Sequence, residues 1–353
     1  ISTTAINDLD DLDGTGNAYT ITVGTAQVNA LALNTVKAAT TVDVTATAVT
    51  QITGSAAQLA TTYNGDGITG LGDETIVLTD TSLAAATLTP TVTGYSTVTI
   101  NATSVTELTG TNAEIVAAYA ADTATTVNLD GDVKLTVSDN IDVSEANTLD
   151  GHTSNTVTAT ISVQTITDLD NLNENNNAYT ITVADTQVTA AALNSVNAAT
   201  SLNVTASAVT KITGSLSDLA TTYGGGITGL GNEAIVVSDA NITFTEANTV
   251  NGYTTGVVTA TISTTAIDDL DNLDDTGNAY TITVGTAQVT AAALNTVNAA
   301  TTVNVTATAV TQITGTAADL ATTYGGGMTG LGDEAVIVSN NITHTQANTV
   351  DAY

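Results

Sequence analysis

The sequence has no cysteine, no tryptophan, one proline, one phenylalanine and one methionine among its 353 residues. Without cysteine there is no disulfide framework, no thiol nucleophile and no thiolate metal site. Aromatic residues make up 3% of the chain, which excludes a core built around large rings. Positive charge is nearly missing as well. There is no arginine, and Lys37, Lys134 and Lys211 stand against 35 acidic residues, for a formal charge of −32. Such a surface repels nucleic acid and anionic membranes, since both are held through Lys and Arg on phosphates. No apolar run approaches a transmembrane length and no signal peptide opens the chain. Neither a nucleic-acid partner nor membrane insertion is expected.

What is present is small and regular. Hydrophobic residues make up 42% of the chain, mostly Ala, Val, Ile and Leu, and threonine alone supplies 79 residues. Thr and Val are stiff at χ1 and favour strands, so this alphabet suits thin, ordered layers. The even apolar pattern argues against disorder. The acidity fits an extracellular or salt-rich setting, where a short Debye length screens self-repulsion and divalent cations are at hand.

Self-similarity organises the whole chain. Residues 161–260 align with residues 262–353 at an offset of 101, and the first copy aligns with the second at an offset of 160. The first copy carries extra material roughly between Asp80 and Asp139. Three spans follow: 1–160, 161–261 and 262–353. Within them, short alternating strings such as "VTATIS", "YTITVG", "TVNVTAT" and "AVIVS" read as strands. One inward residue per string, from Ile1, Val23, Val44 and Leu78 to Val305 and Val338, counts fourteen units spaced by 21 to 37 residues. Six units fall in the first span and four in each of the others, so the extra material is two more units of the same kind.

Helical spacing lies between the strings. Val310, Ile313, Ala317, Leu320 and Tyr324 fall at steps of 3, 4, 3 and 4. Capping boxes are expected at Ser55/Gln58, Thr111/Glu114, Ser215/Asp218 and Thr316/Asp319. Each follows a glycine (Gly54, Gly110, Gly214, Gly315) placed to end a preceding turn. Strand, helix, strand without hairpin signals means parallel strands joined by crossovers. The expected fold is α/β: a parallel β/α solenoid of leucine-rich-repeat type, its units stacked in one rod about 65 Å long. Both ends interrupt the pattern mid-repeat, so the array is expected to continue beyond them.

Chemistry-bearing residues are few. Tyr63, Tyr119, Tyr223 and Tyr324 each sit eight residues after a cap hydroxyl, and Tyr19, Tyr179 and Tyr280 each sit in "NAYT". Fixed addresses of this kind read as packing. His152 occupies the place of Tyr253, and His344 that of Phe244. Each reads as an aromatic-sized filler, and no nucleophile–base or paired-acid arrangement emerges, so no enzyme is expected.

The acids are more suggestive. Asp10, Asp11 and Asp13 converge on a Gly-rich turn, as do Asp271, Asp274 and Asp275, and the "YNGDGITGLGDE" loop adds Asp66, Asp73 and Glu74. Hard cations such as Ca²⁺ need several oxygens, which these turns could supply; a solvated acidic face explains the same residues. Paired "TxT" positions, among them Thr20/Thr22, Thr180/Thr182 and Thr281/Thr283, put threonines outward on the strands. Such a face could read ice or glycan, or be a β-branched ladder that steadies the sheet.

"ANTVNGYTTGVVTATIS", "ALNTVNAATTVNVTA" and "ITGSLSDLATTY" resemble repeat units of very large secreted surface proteins of marine bacteria, cyanobacteria especially. The resemblance implies an extended extracellular role, structural or adhesive, often with calcium. The expectation is a segment of a surface layer, fibre or adhesin that associates with itself and with polysaccharide. The alternative is a binding module working through the Thr face.

Overall fold

The fold is that of a computed structural model, which describes residue 1, residues 4–173 and residues 177–353. Alternating β-branched residues form short strands, and every ladder among the described residues is parallel. Parallel neighbours cannot be joined by a hairpin, so helices and turns carry the chain back between them. The result is an α/β protein of alternating strands and helices. It divides into two compact units: Ile1–Ser162 with Asn171–Ile181 and Ala199–Leu202, and Val163–Asp170 with Thr182–Ala198 and Asn203–Tyr353.

In the first unit one sheet runs Gln27–Asn29, Gln51–Gly54, Thr75–Leu78, Ile100–Asn101 and Val127–Asn128. A second runs Ser82–Ala84, Glu107–Gly110, Lys134–Ile141, Val157–Ile161 and Ala178–Thr180. Helices Ala30–Ala38, Ala56–Asn64, Asn112–Thr123 and Val143–Asp150 lie between strands. Gln27, Gln51 and Thr75 share one register, so successive coils here differ by 24 residues. The second unit repeats the plan. Gln187–Thr189, Lys211–Gly214, Ala234–Val237, Val258–Thr261 and Ala279–Thr281 form one sheet, and Gln288–Thr290, Gln312–Gly315 and Ala335–Val338 another.

Two sequence expectations need correction. The first is the single column of inward residues. Val44 pairs with Ile68, whereas Leu78 pairs with Gly54 in a different sheet. A long coil therefore holds two kinds of strand, and the uneven spacing of 21 to 37 residues came from reading both as one. The second is the helix through Val310 and Ile313. Gln312–Gly315 is a strand, and the helix starts only at Ala317. Ile313 and Leu320 are both fully buried, so spacing alone did not separate the two forms. The Gln-Ile-Thr string extends because it has ladder partners on both sides, Val289 and Val336 facing Ile313.

The glycines before the caps consequently end strands, not helices. A Cβ at Gly54, Gly214 or Gly315 would lie 2.7, 2.6 or 2.6 Å from the methyl of Ala30, Ala190 or Ala291. Glycine lets each strand end press against the first residue of a helix one coil away. The caps form as expected at Ser55/Gln58 and Thr111/Glu114, with both reciprocal bonds present. At Ser215 and Thr316 the hydroxyl still accepts from the third backbone N–H. The shorter Asp218 and Asp319 carboxylates instead accept from that same hydroxyl, each at 2.7 Å.

Gly214→Ala should lower stability by about 1–3 kcal/mol through overpacking. Gly131→Ala, whose added methyl meets nothing within 4 Å, should change it far less. Urea melts of the two variants with equal midpoints would contradict the close-approach account.

Candidate functional site

The string "ITGSLSDLATTYGGGITGLGNEAIVVS" and its two relatives build one recurrent polar site. The helix Ala56–Asn64 carries Tyr63 near its end, and a turn with Gly72 at φ +132° leads to Glu74. Glu74 accepts hydrogen bonds from the Tyr63 hydroxyl, from the Gly72 N–H at 2.8 Å and from the Asp73 N–H at 3.2 Å. Glu233 accepts from the Tyr223 hydroxyl, the Gly231 N–H at 2.7 Å and the Asn232 N–H at 3.0 Å. Glu334 accepts from the Tyr324 hydroxyl and the Gly332 N–H at 2.7 Å. Glu74 and Glu233 are 0% and 1% exposed. Burial without a cation is tolerable only because convergent donors replace water.

This bracket controls protonation. Burial first, then the glutamate that accepts the phenol proton, raises Tyr63, Tyr223 and Tyr324 above the ordinary tyrosine range. For Glu334 burial pulls upward, but the Tyr324 hydroxyl and the Gly332 N–H outweigh it and hold the carboxyl below its usual range. The phenol therefore keeps its proton while the carboxylate stays ionised. That arrangement locks a turn to a helix.

Each bracketed ring also stacks on a ring of the next coil. Tyr63 lies 4.8 Å from Tyr95, Tyr223 4.7 Å from Tyr253 and Tyr324 4.5 Å from Tyr353, all nearly parallel. Tyr119 stacks on His152 at 4.6 Å, so His152 does fill the place of Tyr253. A second staple joins the helices. The Asn194 amide donates to the Asp218 carbonyl at 3.0 Å, and the Thr222 hydroxyl donates to Asn194 Oδ1 at 2.9 Å. Asn34 with Thr62 and Asn295 with Thr323 repeat it.

One coil departs from the pattern. The Thr153 hydroxyl donates to the Val133 carbonyl at 2.6 Å, as Thr254 does to Glu233 and Ser96 to Glu74 at the same distance. Val133 thus stands where the other coils have glutamate, and the buried Tyr119 hydroxyl has no hydrogen-bond partner. Asn155 takes the position of Gly256, where a side chain would collide with the Glu233 carbonyl. A polar cavity of about 560 Å³ opens there, lined by Asp132, Asp150, Ser154 and Asn155 among others.

The nine candidate calcium ligands are not brought together as expected. Glu74 is interior, with its oxygens committed to the bracket. Asp10 and Asp271 are the residues that follow the short helices Ile6–Leu9 and Ile267–Leu270. Asp11, Asp13, Asp66, Asp73 and Asp274 are exposed. Asp275 adopts φ +66° and accepts from the Thr276 N–H at 2.7 Å. Among the described residues no three His, Cys, Asp or Glu gather in metal-holding geometry.

The threonine rows are real but narrow. Thr22, Thr45 and Thr69 form one row, Thr182, Thr205 and Thr228 another, and Thr283, Thr306 and Thr329 a third. Thr69, Thr228 and Thr329 donate their hydroxyls to the carbonyls of Val44, Val204 and Val305 at 3.4, 3.2 and 3.4 Å. Those hydroxyls tie neighbouring coils together.

Sequence reasoning placed the tyrosines as packing residues but missed their glutamate partners. The signal was available: Glu233 and Glu334 follow Tyr223 and Tyr324 by ten residues, and Glu74 follows Tyr63 by eleven. Compared with known proteins, the chain matches no family model, no curated protein and no solved structure.

Tyr223→Phe leaves Glu233 short of a donor and should cost about 1–3 kcal/mol, while Tyr253→Phe keeps its stacked ring and should cost less than about 0.5 kcal/mol. The raised tyrosines also set an alkaline limit. Their contribution is complete below the unfolded tyrosine value of about 10 and falls above it, because the unfolded chain then loses phenol protons that the folded chain keeps. Thermal melts should show a midpoint that drops above about pH 10, and less steeply in Tyr223→Phe. A flat alkaline profile would contradict the bracket.

Proposed function

We propose that this chain is a structural repeat protein of the cell exterior, each compact unit a stretch of parallel β/α solenoid that serves a surface layer, fibre or adhesin by stacking and self-association. The observation that carries this reading is where the polar and aromatic interior residues go. The Tyr–Glu brackets, the stacked rings and the Asn–Thr staples all recur at coil-defined addresses, and the rings and staples bind one coil to the next. A coil that cannot bury its own face is stabilised by its neighbours.

Uncovered packing faces support the same reading. Leu12, Asn17 and Tyr19 are partly exposed, whereas Leu172, Asn177 and Tyr179 are 5%, 2% and 1% exposed. Val336 and Val338 are half-buried where Ile235 and Val237 are buried, and the helix His344–Val350 buries none of its residues. A further coil, of this chain or of another copy, would cover such faces. Surface acidity suits a salt-rich exterior: 35 acidic side chains against three lysines repel one another, and salt relieves that repulsion.

Sedimentation velocity and negative-stain microscopy in high salt should show ordered assemblies that lengthen with protein concentration. A monomer at every concentration would overturn the proposal, and glycan-array binding by such a monomer would favour a binding module instead. The melting midpoint should also rise with NaCl; a midpoint that falls would remove the electrostatic part of the argument.

A further inference from the structure

At the start of each sequence copy a parallel sheet ends on a three-residue strand: Gln27–Asn29, Gln187–Thr189 and Gln288–Thr290. The preceding segment does not extend the ladder. It turns instead into a four-residue helix, Ile6–Leu9, Ile166–Leu169 or Ile267–Leu270. That helix is tied to the residues just before the strand: the Ile6, Ile166 and Ile267 N–H groups donate to Thr25, Asp185 and Thr286 side chains at 2.9, 2.6 and 2.9 Å. A groove is left between helix and edge. In the second copy it measures about 360 Å³ and is lined by Ile166, Asp170, Gln187, Thr189 and Thr213 among others. In the third copy it measures about 280 Å³, with Ile267, Asp271, Gln288, Thr290 and Thr314 at the matching places.

The backbone of the edge strand is oriented to use this groove. Lys211 N–H donates to the Thr186 carbonyl at 3.1 Å, and Gln51 and Gln312 donate to Ala26 and Ala287 at 3.0 Å. In a parallel ladder alternate residues address one neighbour. Val28, Val188 and Val289 therefore face the paired strand, and the flanking residues, Gln187 and Thr189 in the second copy, turn their backbone groups toward the groove. Their side chains are exposed on the same strand. Asp170 and Asp271 supply negative charge at the groove wall, in a chain with only three lysines to compensate.

We infer that these grooves receive an extended, basic peptide segment of a partner protein, added as a short strand to the edge. Backbone pairing selects the extended form, and the aspartates select a Lys or Arg side chain. Charge complementarity favours such a partner over a second copy of this chain, which would bring like charge to the groove. Repetition at Gln27, Gln187 and Gln288 allows a partner with several such segments to bind by avidity.

The test is calorimetry on the full chain at physiological salt with an alternating Lys-Val octapeptide. Its twin is an alternating Lys-Pro octapeptide, equal in charge but unable to pair along the edge. The Lys-Val peptide should bind about tenfold more tightly than the twin, with up to three bound per chain, one for each edge strand. Asp10→Asn, Asp170→Asn and Asp271→Asn combined should weaken it, with the fold checked by thermal melting. Equal affinity for both peptides would reduce the effect to bulk charge attraction and overturn the proposal, as would no binding of either. Tight binding of a Glu-Val octapeptide would overturn the assigned charge preference.

Discussion

A short parallel strand has no stability alone, and its neighbour must arrive in register after a complete crossover. That constraint governs the rest of this structure. Gln27, Gln51 and Thr75 stand side by side only because each coil between them returns after the same 24 residues. Equal coil length places Ala30 against Gly54 and Ala190 against Gly214, where no larger pair would fit. It also places Thr45 beside Thr69 and Thr205 beside Thr228, so side chains of one type meet their own kind along the ladders. The copying visible in the sequence is what a parallel stack requires of any chain that builds it.

Register alone does not hold the turns. A loop of glycines between helix and strand has high conformational entropy in the unfolded chain, and folding must overcome it. The bracket does this with few atoms. One glutamate, reached by a phenol from the helix and by backbone N–H groups from its own turn, pins the loop at both sides. A lysine could serve neither the phenol proton nor the N–H donors, since it has no acceptor. The scarcity of cations thus fits an interior whose recurrent charged group is an acceptor. Where Val133 replaces that acceptor, the tyrosine still stacks, on His152, but its hydroxyl is stranded beside a cavity.

The α/β class, the parallel pairing, the hydroxyl caps and the packing role of the tyrosines were legible because each rests on local chemistry that recurs. Helix against strand at Ile313 was not legible, since both forms bury Ile313 and Leu320 and only the ladder partners Val289 and Val336 decide between them. The acidic turns misled for a related reason. Composition shows that carboxylates are many, but not that Glu74 points inward while Asp73, beside it, points out. Neighbours in sequence diverge there because Gly72 adopts a positive φ and reverses the turn.

The three copies differ from a uniform stack in one respect, and it is the most informative one. A uniform stack would need no short coil, yet each copy interrupts its sheet with a four-residue helix before Gln27, Gln187 or Gln288. The interruption does not serve the interior: Leu9, Leu169 and Leu270 are buried there as well as any core residue, so packing continues across it. What it changes is the backbone, which loses a ladder neighbour at the surface on each occasion. An edge left open is ordinarily a liability that proteins blunt with charge. Here the charge is Asp10, Asp170 or Asp271, carried on the short helix side of the groove, while the strand itself keeps neutral Gln flanking a buried Val. That division repels another copy of so acidic a chain yet leaves the edge open to a partner of opposite charge.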